Sequence, residues 1–339
     1  MKPVRLAALL AALALLGGCA APAAAPRRYT ATFLTLFDTV TTVLGYAESE
    51  EAFREEAQQL HDRLLYYHQL FNIYEEYEGM ANLKTVNDHA GVAPVEVEAP
   101  ILEMLAFSQE MYRETDGRVN VAMGSVLSLW HDAREAALAN PDAAAPPDAD
   151  ALAEAAAHTD LSQMQLDEAA STVYLADPEM SLDVGAIAKG WAVEQVCREA
   201  PAGLLVSVGG NVRATGPKAD GEDWVAGIQN PDGGAYLETV AVRDGSVVTS
   251  GDYQRYFTAG GVQYHHIIDP DTGYPAAYWR SVTVLCPDSG VADALSTALF
   301  TLPLEAGQAL LDRFGAEALW LDRDGVRYES PGFGDHIRT

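Results

Sequence analysis

The stretch Gly203–Gly216, GLLVSVGGNVRATG, decides the fold class of this chain. Two runs of apolar and β-branched residues flank a Gly-Gly-Asn segment, and this pattern predicts a strand, a tight turn and a second strand. A helix is predicted just before it, at Lys189–Glu199. Strands and helices are interspersed along the chain, but the βαβ alternation of a doubly wound sheet is missing. The sequence therefore predicts an α+β fold.

The segments on either side predict further elements of both kinds. Tyr29–Tyr46 is rich in Thr, Val and aromatic residues and predicts a strand. Glu50–Phe71 has apolar residues at helical spacing, and Val291–Phe300 predicts a second helix. Hairpins are predicted at Gln165–Leu175 and Ala318–Arg327.

The first residues have the pattern of an export signal. Lys2 and Arg5 precede Leu6–Leu16, a run made almost entirely of Ala and Leu. The run is shorter than the roughly 20 residues that a membrane-spanning helix needs. We therefore expect residues 1–18 to be a signal peptide.

The signal ends in Leu16-Gly17-Gly18-Cys19, which is similar to a bacterial lipobox. We expect Cys19 to carry the lipid and residues 19–28, rich in Ala and Pro, to form a tether. The expected location is the extracytoplasmic face of the cell membrane, on its periplasmic or its exterior side. An ordinary secretory signal with an incidental Cys is the alternative.

Composition limits the partners of the remaining body, residues 29–339, which carries an exposed Ala/Pro/Asp insert near 139–150. The formal net charge of the whole chain, −28, argues against nucleic acid as a partner, because phosphate backbones need a positive surface. An anionic substrate must then be captured locally by a metal, a Lys and backbone N–H groups. For Cys197 and Cys286 a disulfide stays open, although two buried free thiols are favoured, and no Cys/His cluster indicates zinc.

The segment Ser181–Gly190, SLDVGAIAKG, is the first candidate site. Small residues lie between Asp183 and Lys189, where a strand ends and a helix begins, so the backbone can come close to an anion. Lys189 offers a positive charge to a phosphate, and Asp183 offers an acceptor to a ribose, a base N–H or metal-bound water. The alternative is a capped helix with Asp183 as the capping acceptor and Lys189 in solvent.

Two polar turns leave ligand binding open. The glycines of Val208-Gly209-Gly210-Asn211, followed by Arg213, permit close approach of a ligand or a tight hairpin turn, and the turn is slightly favoured. Thr249–Tyr256, TSGDYQRY, could bind phosphate or stack on a ring, or form a turn without a ligand.

Two histidines follow on a predicted strand. His265 and His266 are adjacent, so their side chains point to opposite faces and cannot easily share one metal. A His that precedes the Asp269-Pro270 turn is a candidate general base or phosphate partner, although a lone strand His is more often structural.

Oxygen ligands come together near the start of a predicted helix. Asp293, Ser296 and Thr297 stand at positions i, i+3 and i+4 and share one helix face. Carboxylate and hydroxyl oxygens suit a hard cation such as Mg²⁺. The alternative is an N-capping Asp followed by small surface residues.

In combination, these segments resemble the FAD:protein FMN transferase (ApbE) family. The motifs that carry the resemblance are SLDVGAIAKG, VSVGGNVRATG, WVAGIQNP, VVTSGDYQRY, HHIIDPDTGYP and ADALST, and the upstream segments Phe37–Val40 and Thr115–His131 fit as well. The resemblance covers most of Phe33–Leu302. It implies a T-fold-like catalytic domain over residues 29–339, with mixed, mainly antiparallel sheets and packed helices. It also implies an enzyme that cleaves FAD, attaches FMN to a Thr or Ser hydroxyl of an acceptor flavoprotein and releases AMP.

The resemblance further implies the residues of the site. Contacts with FAD are expected from Phe37, Met80, Arg118, Val119, Asn120, Asp183, Lys189 and Ile268. Mg²⁺ is expected on the backbone oxygen of Ala186 and on Asp293 and Thr297, with Ser296 as a further candidate. Phe37-Asp38-Thr39 stands where many members have Met-Gly-Thr. The expected acceptor is a membrane redox-pump subunit or a secreted flavoprotein.

The mechanistic hypothesis is in-line attack of the acceptor hydroxyl on the FMN-side phosphorus, while Mg²⁺ and Lys189 neutralise the phosphates. His266 is the candidate base, and Asp183 is the second candidate. Two other functions stay open: a Mg²⁺-dependent FAD pyrophosphatase that forms FMN and AMP, and a lipoprotein that binds flavin without catalysis. The oxygen ligands around Asp293 argue against mere binding, since flavin capture needs no cation.

Overall fold

The computed structural model of the chain describes residues 26–338. The predicted signal peptide, Cys19 and the tether up to residue 25 lie outside the described residues. An eight-stranded sheet forms the centre of the fold, and all of its neighbouring strands are antiparallel. Smaller antiparallel sheets and packed helices surround it. The predicted α+β class is confirmed.

The strands of the large sheet lie in the order β1-β2-β6-β7-β10-β13-β14-β15. Their bounds are β1 (Arg27–Leu36), β2 (Thr39–Ala47), β6 (Leu204–Val208), β7 (Asn211–Thr215), β10 (Asp244–Gly251), β13 (Trp279–Cys286), β14 (Glu317–Asp322) and β15 (Arg327–Glu329). The smaller sheets contain β3 (Val95–Glu96), β4 (Met164–Asp167), β5 (Thr172–Leu175), β8 (Trp224–Ile228), β9 (Glu238–Val242), β11 (Tyr256–Ala259) and β12 (Val262–His265).

The α-helices of the described part of the chain are α1 (Glu50–Leu70), α2 (Leu83–Asp88), α3 (Ala99–Glu114), α4 (Gly124–Ala139), α5 (Ala149–Ala156), α6 (Ala188–Glu199), α7 (Ser289–Phe300) and α8 (Leu304–Phe314). Helix α1 begins at the cap Ser49, whose hydroxyl accepts the Ala52 N–H. Its buried stripe, Phe53, Ala57, Leu60 and Leu64, is the one that the apolar spacing predicts.

The large sheet has a helical layer on one face and a strand layer on the other. Helix α1 packs on β1 and β2, α6 on β6 and β7, and α7 on β10 and β13. The opposite face is covered by the β8–β9 hairpin, whose Trp224, Ile228 and Val240 bury against the sheet. Because α6 and α7 also pack on each other, the starts of these two helices come together at one end of the sheet.

The prediction of one strand over Tyr29–Tyr46 is wrong, because the segment folds back as the β1–β2 hairpin. Its turn is made by Phe37 and Asp38, whose φ angles are 51° and 54°. These left-handed values are uncommon for residues other than Gly. The segment also lacks the Asn-Gly or Asp-Gly pair that usually marks such a turn, so the sequence pattern did not indicate it. The predicted hairpins over Gly203–Gly216 and Gln165–Leu175 are confirmed.

Two further findings concern features predicted from composition. Cys197 and Cys286 are buried free thiols, as favoured, and burial raises their pKa values to about 12 and about 11. Over residues 26–338, no helix is both long and apolar enough to cross a membrane.

Candidate active site

A cleft of about 750 Å³ opens where the starts of α6 and α7 meet the β1–β2 hairpin tip and the β11–β12 hairpin. Ten of the thirteen predicted site residues line it. They are Phe37, Arg118, Asn120, Asp183, Ala186, Lys189, His266, Ile268, Asp293 and Thr297. Residues separated by more than 250 positions in the chain thus face one cavity.

The contact between α6 and α7 sets the centre of the cleft. The Asp293 carboxylate accepts the Lys189 Nζ at 2.8 Å with one oxygen and the Gly190 N–H at 2.7 Å with the other. A Cβ at position 190 would lie 2.4 Å from both the Asp293 Cβ and the Ser289 carbonyl oxygen. Only a glycine therefore allows the two helices to approach this closely. Asp293 is 4% exposed, and its carboxylate is held on both sides.

The start of α6 leaves one backbone oxygen free. In a continuous helix the Gly190 N–H would donate to the Ala186 carbonyl, but here it donates to Asp293. Within residues 26–338, the Ala186 carbonyl accepts no other hydrogen bond, and Ala186 lines the cleft. Asp293 is in the second turn of α7, whose N-cap is Asp288, so the N-cap alternative for Asp293 does not hold.

Carboxylate, carbonyl and hydroxyl oxygens from Asp293, Ala186 and Thr297 thus line the same cavity. These are the ligand types that Mg²⁺ takes from proteins. No group of three or more His, Cys, Asp or Glu side chains in the described residues could hold a metal. A cation here would therefore be bound by one carboxylate, neutral oxygens and the substrate.

Asp183 is half-buried at the floor of the cleft. Its backbone N–H donates to the Val121 carbonyl at 2.8 Å, and its carboxylate accepts the Gly185 N–H at 2.8 Å. Burial raises the pKa of this carboxyl, and the Gly185 hydrogen bond opposes the shift.

The two histidines lie in different environments. His265 is buried: its Nε2 donates to the Ala276 carbonyl at 2.9 Å, and its ring packs edge-on against Phe300. His266 faces the cleft, and its Nδ1 lies 3.2 Å from the Arg255 carbonyl. A carbonyl can only accept, so Nδ1 carries the proton and Nε2 keeps a free lone pair.

The surroundings of His266 favour the neutral imidazole. The ring is exposed to the cleft, yet protein atoms crowd it, and this desolvation followed by the nearby Arg255 cation lowers its pKa to about 4. Arg255 is exposed, and its guanidinium forms no salt bridge with a carboxylate in the part of the chain that the structure describes. It remains available to an anion.

Phe37 reaches the cleft from the tip of the β1–β2 hairpin. Its backbone N–H donates to His68 Nδ1 at 3.2 Å, and the two rings meet edge to face at 5.5 Å. Asp38 beside it has the left-handed conformation. A Gly at this position would adopt the same conformation without a Cβ penalty.

The opposite wall consists of residues with structural partners. The Arg118 guanidinium pairs with Asp269 at 3.1 Å and also with Asp271. The Asn120 amide donates to the Thr159 carbonyl and accepts from the Ala122 N–H, both at 2.9 Å. Arg118 and Asn120 thus fix the wall, and a ligand would compete with these partners for their side chains.

Three predicted residues do not line the cleft. Met80 packs on the main core, and Val119 is buried in it. Ser296 is 0% exposed, and its hydroxyl is hydrogen-bonded to the Ser250 hydroxyl at 2.8 Å and to the Asp293 carbonyl at 2.9 Å. At i+3 from Asp293 it is turned toward β10, so only Asp293 and Thr297 of the predicted helix face reach the cavity.

Residues 36–320 of the chain match the ApbE family model. This chain belongs to the ApbE family. It is 39% identical over 278 residues to the FAD:protein FMN transferase of Treponema pallidum (strain Nichols), covering 76% of this chain and 75% of the relative. It is 31% identical over 270 residues to an FAD:protein FMN transferase of Klebsiella pneumoniae (strain 342), covering 75% and 81%.

The family relation extends to solved structures. The crystal structure of the ApbE protein from Thermotoga maritima MSB8 matches with a TM-score of 0.82 at 29% identity, covering 92% of this chain and 100% of that one. Together with the antiparallel sheets and packed helices, this match confirms the fold that the ApbE resemblance implies.

The ApbE-family cleft also contains side chains that the sequence did not single out. Tyr74 stacks on His131 with ring centroids 5.2 Å apart, and Arg134 lies nearby in the lining. Burial, and then the charge of Asp183, raises the Tyr74 pKa to about 12. Tyr74 follows the end of α1, and His131 is in α4 at the end of the segment Thr115–His131, whose fit to the family did not mark this histidine as a site residue.

The two polar turns left open by the sequence both lie at this ApbE-family cleft. Gly209 and Gly210 form the β6–β7 turn with φ angles of 52° and 89°, and both also line the cavity. Thr249, Ser250, Gly251, Gln254 and Arg255 line it from the other turn. The hairpin reading of the glycines is confirmed, and it leaves room for a ligand beside them.

Proposed function

We propose that this chain is an FAD:protein FMN transferase, which cleaves FAD, attaches FMN through a phosphoester to a Thr or Ser hydroxyl of an acceptor flavoprotein, and releases AMP. The observation that carries the proposal is one cleft that combines a neutral imidazole, a Lys–carboxylate pair and uncommitted backbone oxygen. Its volume of about 750 Å³ suits a cofactor-sized ligand. The relatives named above carry the same activity in their names.

We infer that Mg²⁺ is the cofactor and that Asp293, Thr297 and the Ala186 carbonyl hold it. The donor set supports this inference, because all three offer hard oxygen atoms and the Ala186 carbonyl is otherwise unused. Bound Mg²⁺ would neutralise charge on the FAD pyrophosphate. Lys189, which is 2.8 Å from Asp293 Oδ1, adds a second positive charge at the same place.

His266 acts as the general base in this proposal. Its Nε2 lone pair takes the proton of the acceptor hydroxyl while the hydroxyl oxygen bonds to the FMN-side phosphorus. The bond from that phosphorus to the bridging oxygen breaks, and AMP leaves with this oxygen. The Arg255 carbonyl keeps the imidazole in the required tautomer and orientation. Arg255 and Lys189 contribute positive charge around the reacting phosphates.

Asp183 is the second candidate base, since burial raises the pKa of its carboxyl and so makes the carboxylate a stronger proton acceptor. Its position on the floor suits contact with a ligand hydroxyl or N–H group. Mutation separates the role of general base from that of FAD contact. If His266 is the base and Asp183 contacts FAD, His266→Gln should reduce transfer and leave FAD affinity unchanged, whereas Asp183→Asn should weaken FAD affinity.

The deciding experiment incubates the protein with FAD, Mg²⁺ and a flavoprotein domain that bears a Thr acceptor, followed by mass spectrometry of the acceptor. We expect FMN covalently attached to Thr and an equal amount of AMP. An unmodified acceptor with unchanged FAD would overturn the proposal and favour a lipoprotein that only binds flavin.

A second candidate function is hydrolysis of FAD to FMN and AMP. The exposure of His266 to the open cleft favours it, because water can reach the same nitrogen. Free FMN formed at equal rates with and without the acceptor would identify the chain as a pyrophosphatase.

We further propose that a lipid on Cys19 anchors the enzyme at the extracytoplasmic face of the membrane. The support is the Leu16-Gly17-Gly18-Cys19 sequence after an apolar run. The acceptor would then be a membrane redox-pump subunit or a secreted flavoprotein. Cys19→Ala should abolish palmitate labelling in cells, and continued labelling would refute the anchor.

A further inference from the structure

We propose that Glu194, which does not line the cleft, is a positioning residue that sets the place of the Asp293 carboxylate by fixing α7 against α6. The inference rests on the proposed function in one respect: Asp293 is taken as the ligand of the metal. The geometry of the two helices carries the rest.

Two reciprocal hydrogen bonds join the helices. In the first, the Gly190 N–H of α6 donates to the Asp293 carboxylate of α7 at 2.7 Å. In the second, the Ser289 N–H of α7 donates to the Glu194 carboxylate of α6 at 2.8 Å. Position 194 is one turn after 190, and position 289 is one turn before 293. Each helix therefore supplies one backbone donor and one carboxylate, a turn apart.

Glu194 is itself held from three sides. One of its oxygens accepts Arg213 Nε of β7 at 3.0 Å in addition to the Ser289 N–H, and the other accepts Arg198 Nε at 3.1 Å. Arg198 also pairs at 2.7 Å with Asp288, the N-cap of α7. The carboxylate is thus fixed to the large sheet and to the start of α7 together, so α7 cannot slide or rotate at its first turn without breaking these bonds.

The network continues beneath Gly190. The Ser289 hydroxyl donates to Asn211 Oδ1 at 2.6 Å, and Asn211 Nδ2 lies 3.0 Å from the place of a Cβ on Gly190. This amide nitrogen is buried and has no hydrogen-bond partner within the described residues. Such an unsatisfied donor is costly, so the polar cluster is not the packing that stability alone would favour.

A buried ion pair of this kind adds little stability compared with well-packed apolar residues. What Glu194 adds is a defined position for the Ser289 N–H and hence for the turn that carries Asp293. Without its acceptor oxygen, the first turn of α7 is free to shift away from α6. The Gly190 N–H then loses its carboxylate, and Asp293 leaves the Lys189 ammonium and the Ala186 carbonyl.

The test compares the full-length chain with Glu194→Met and with Glu194→Met/Arg213→Met. Methionine removes both acceptor oxygens, whereas glutamine would keep one that could still accept the Ser289 N–H. The double variant replaces the buried pair by apolar side chains of similar length, so it keeps the fold if Glu194→Met does not. The control is Leu310→Ala, a cavity in α8 away from the cleft. Hydrogen exchange of the peptide that contains Gly190 reports directly on the bond to Asp293, because this amide has no helical partner.

We expect both Glu194 variants to exchange faster at Gly190, with the rest of the sheet unchanged. Binding of Mn²⁺, used as the spectroscopic probe, should weaken by about 10-fold, at the low end of what supporting residues of a metal ligand contribute. The Mg²⁺ concentration for half-maximal transfer should rise while the rate at saturating Mg²⁺ falls less. Leu310→Ala should change none of these beyond a general loss of stability.

Unchanged exchange at Gly190 in a folded Glu194 variant would overturn the proposal. An increase in exchange that is as large in Leu310→Ala as in the Glu194 variants, and that affects all amides alike, would also overturn it. The exchange measurement does not need FAD or transfer activity. If the wild-type chain transfers no FMN but the Glu194 variants exchange faster at Gly190 than the wild type, the proposed function is contradicted and the positioning role of Glu194 is supported.

Discussion

The substitution Gly190→Ala tests how closely α6 and α7 must approach each other. The added Cβ would lie 2.4 Å from the Asp293 Cβ and 2.4 Å from the Ser289 carbonyl oxygen. Both contacts involve backbone or near-backbone atoms, which cannot turn aside as the end of a long side chain can. The distance must therefore grow from 2.4 Å by about 1.1–1.6 Å to restore ordinary contact distances of about 3.5–4.0 Å.

The expected cost combines opposing contributions. Overpacking of a well-packed contact costs about 1–3 kcal/mol. The separation also breaks the 2.7 Å bond from Gly190 N–H to the Asp293 carboxylate, and a hydrogen bond to a charged group contributes about 1.5–3 kcal/mol. The better helix propensity of Ala returns about 1 kcal/mol. The free energy of unfolding should fall by about 1.5–5 kcal/mol. Transfer should slow by about 100-fold, because a shift of about 1 Å is already enough to misplace the reacting groups.

Urea denaturation gives the change in stability, and FMN transfer to a Thr-bearing acceptor gives the rate. Gly307→Ala is the matched control, since Gly307 is also a buried helical glycine, in α8, and its nearest neighbour is the Leu299 side-chain end at 3.3 Å. That side chain can yield, so the control should stay within about 1 kcal/mol of the wild type. A Gly190→Ala chain as stable and as active as Gly307→Ala would refute the close-contact argument.

Three other predictions follow from the same site and its neighbours. His266→Gln should slow transfer by about 10²–10⁴-fold. Because the His266 pKa is lowered to about 4, wild-type kcat/KM should stay level from pH 8 to pH 5 and fall near pH 4. A fall of kcat/KM near pH 6.5 would contradict the assignment of His266 as the base. The pKa of His265 is about 4 in the folded state against 6.5 in the unfolded state. The unfolded state therefore binds the proton first as pH falls, and the free energy of unfolding decreases from pH 6.5 to pH 4. In His265→Gln this decrease should be smaller by on the order of 3 kcal/mol, as measured by urea denaturation at both pH values. EDTA should abolish transfer and Mg²⁺ should restore it, and Thr297→Val, which keeps the shape but loses the hydroxyl, should require more Mg²⁺; full activity in EDTA would exclude the metal.

Local sequence patterns identified much of the fold and part of the site. Apolar spacing placed α1, and the Gly-Gly-Asn segment placed the β6–β7 hairpin, because both signals come from residues that are neighbours in sequence. The i, i+4 spacing of Asp293 and Thr297 likewise put both on the cleft side of α7. The spacing could not show that Ser296 turns toward β10, since this depends on where the sheet lies.

Contacts between distant segments could not be predicted. Nothing near Lys189 indicates that Asp293, 104 residues later, is its partner. The stacking of Tyr74 on His131 likewise joins the end of α1 to α4. The turn at Phe37 and Asp38 was missed for a different reason: both residues have left-handed backbone, but neither is a Gly, and the Asn-Gly or Asp-Gly pair that usually marks such a turn is absent.

The order in which the chain supplies the parts of the cleft affects its synthesis. The hairpin tip, the floor and the His266 wall are all translated before α7, which brings Asp293 110 residues after Asp183. Strands β10 and β13 are neighbours in the sheet, and α7 follows β13 directly, so Asp293 and Thr297 are translated just after the β10–β13 pair is complete. Chains elongate at about 5–20 residues per second, so a nascent chain passes through a period with an incomplete cleft. A ribosome-bound intermediate that ends before α7 should therefore be unable to consume FAD, and competence should be gained in one late step.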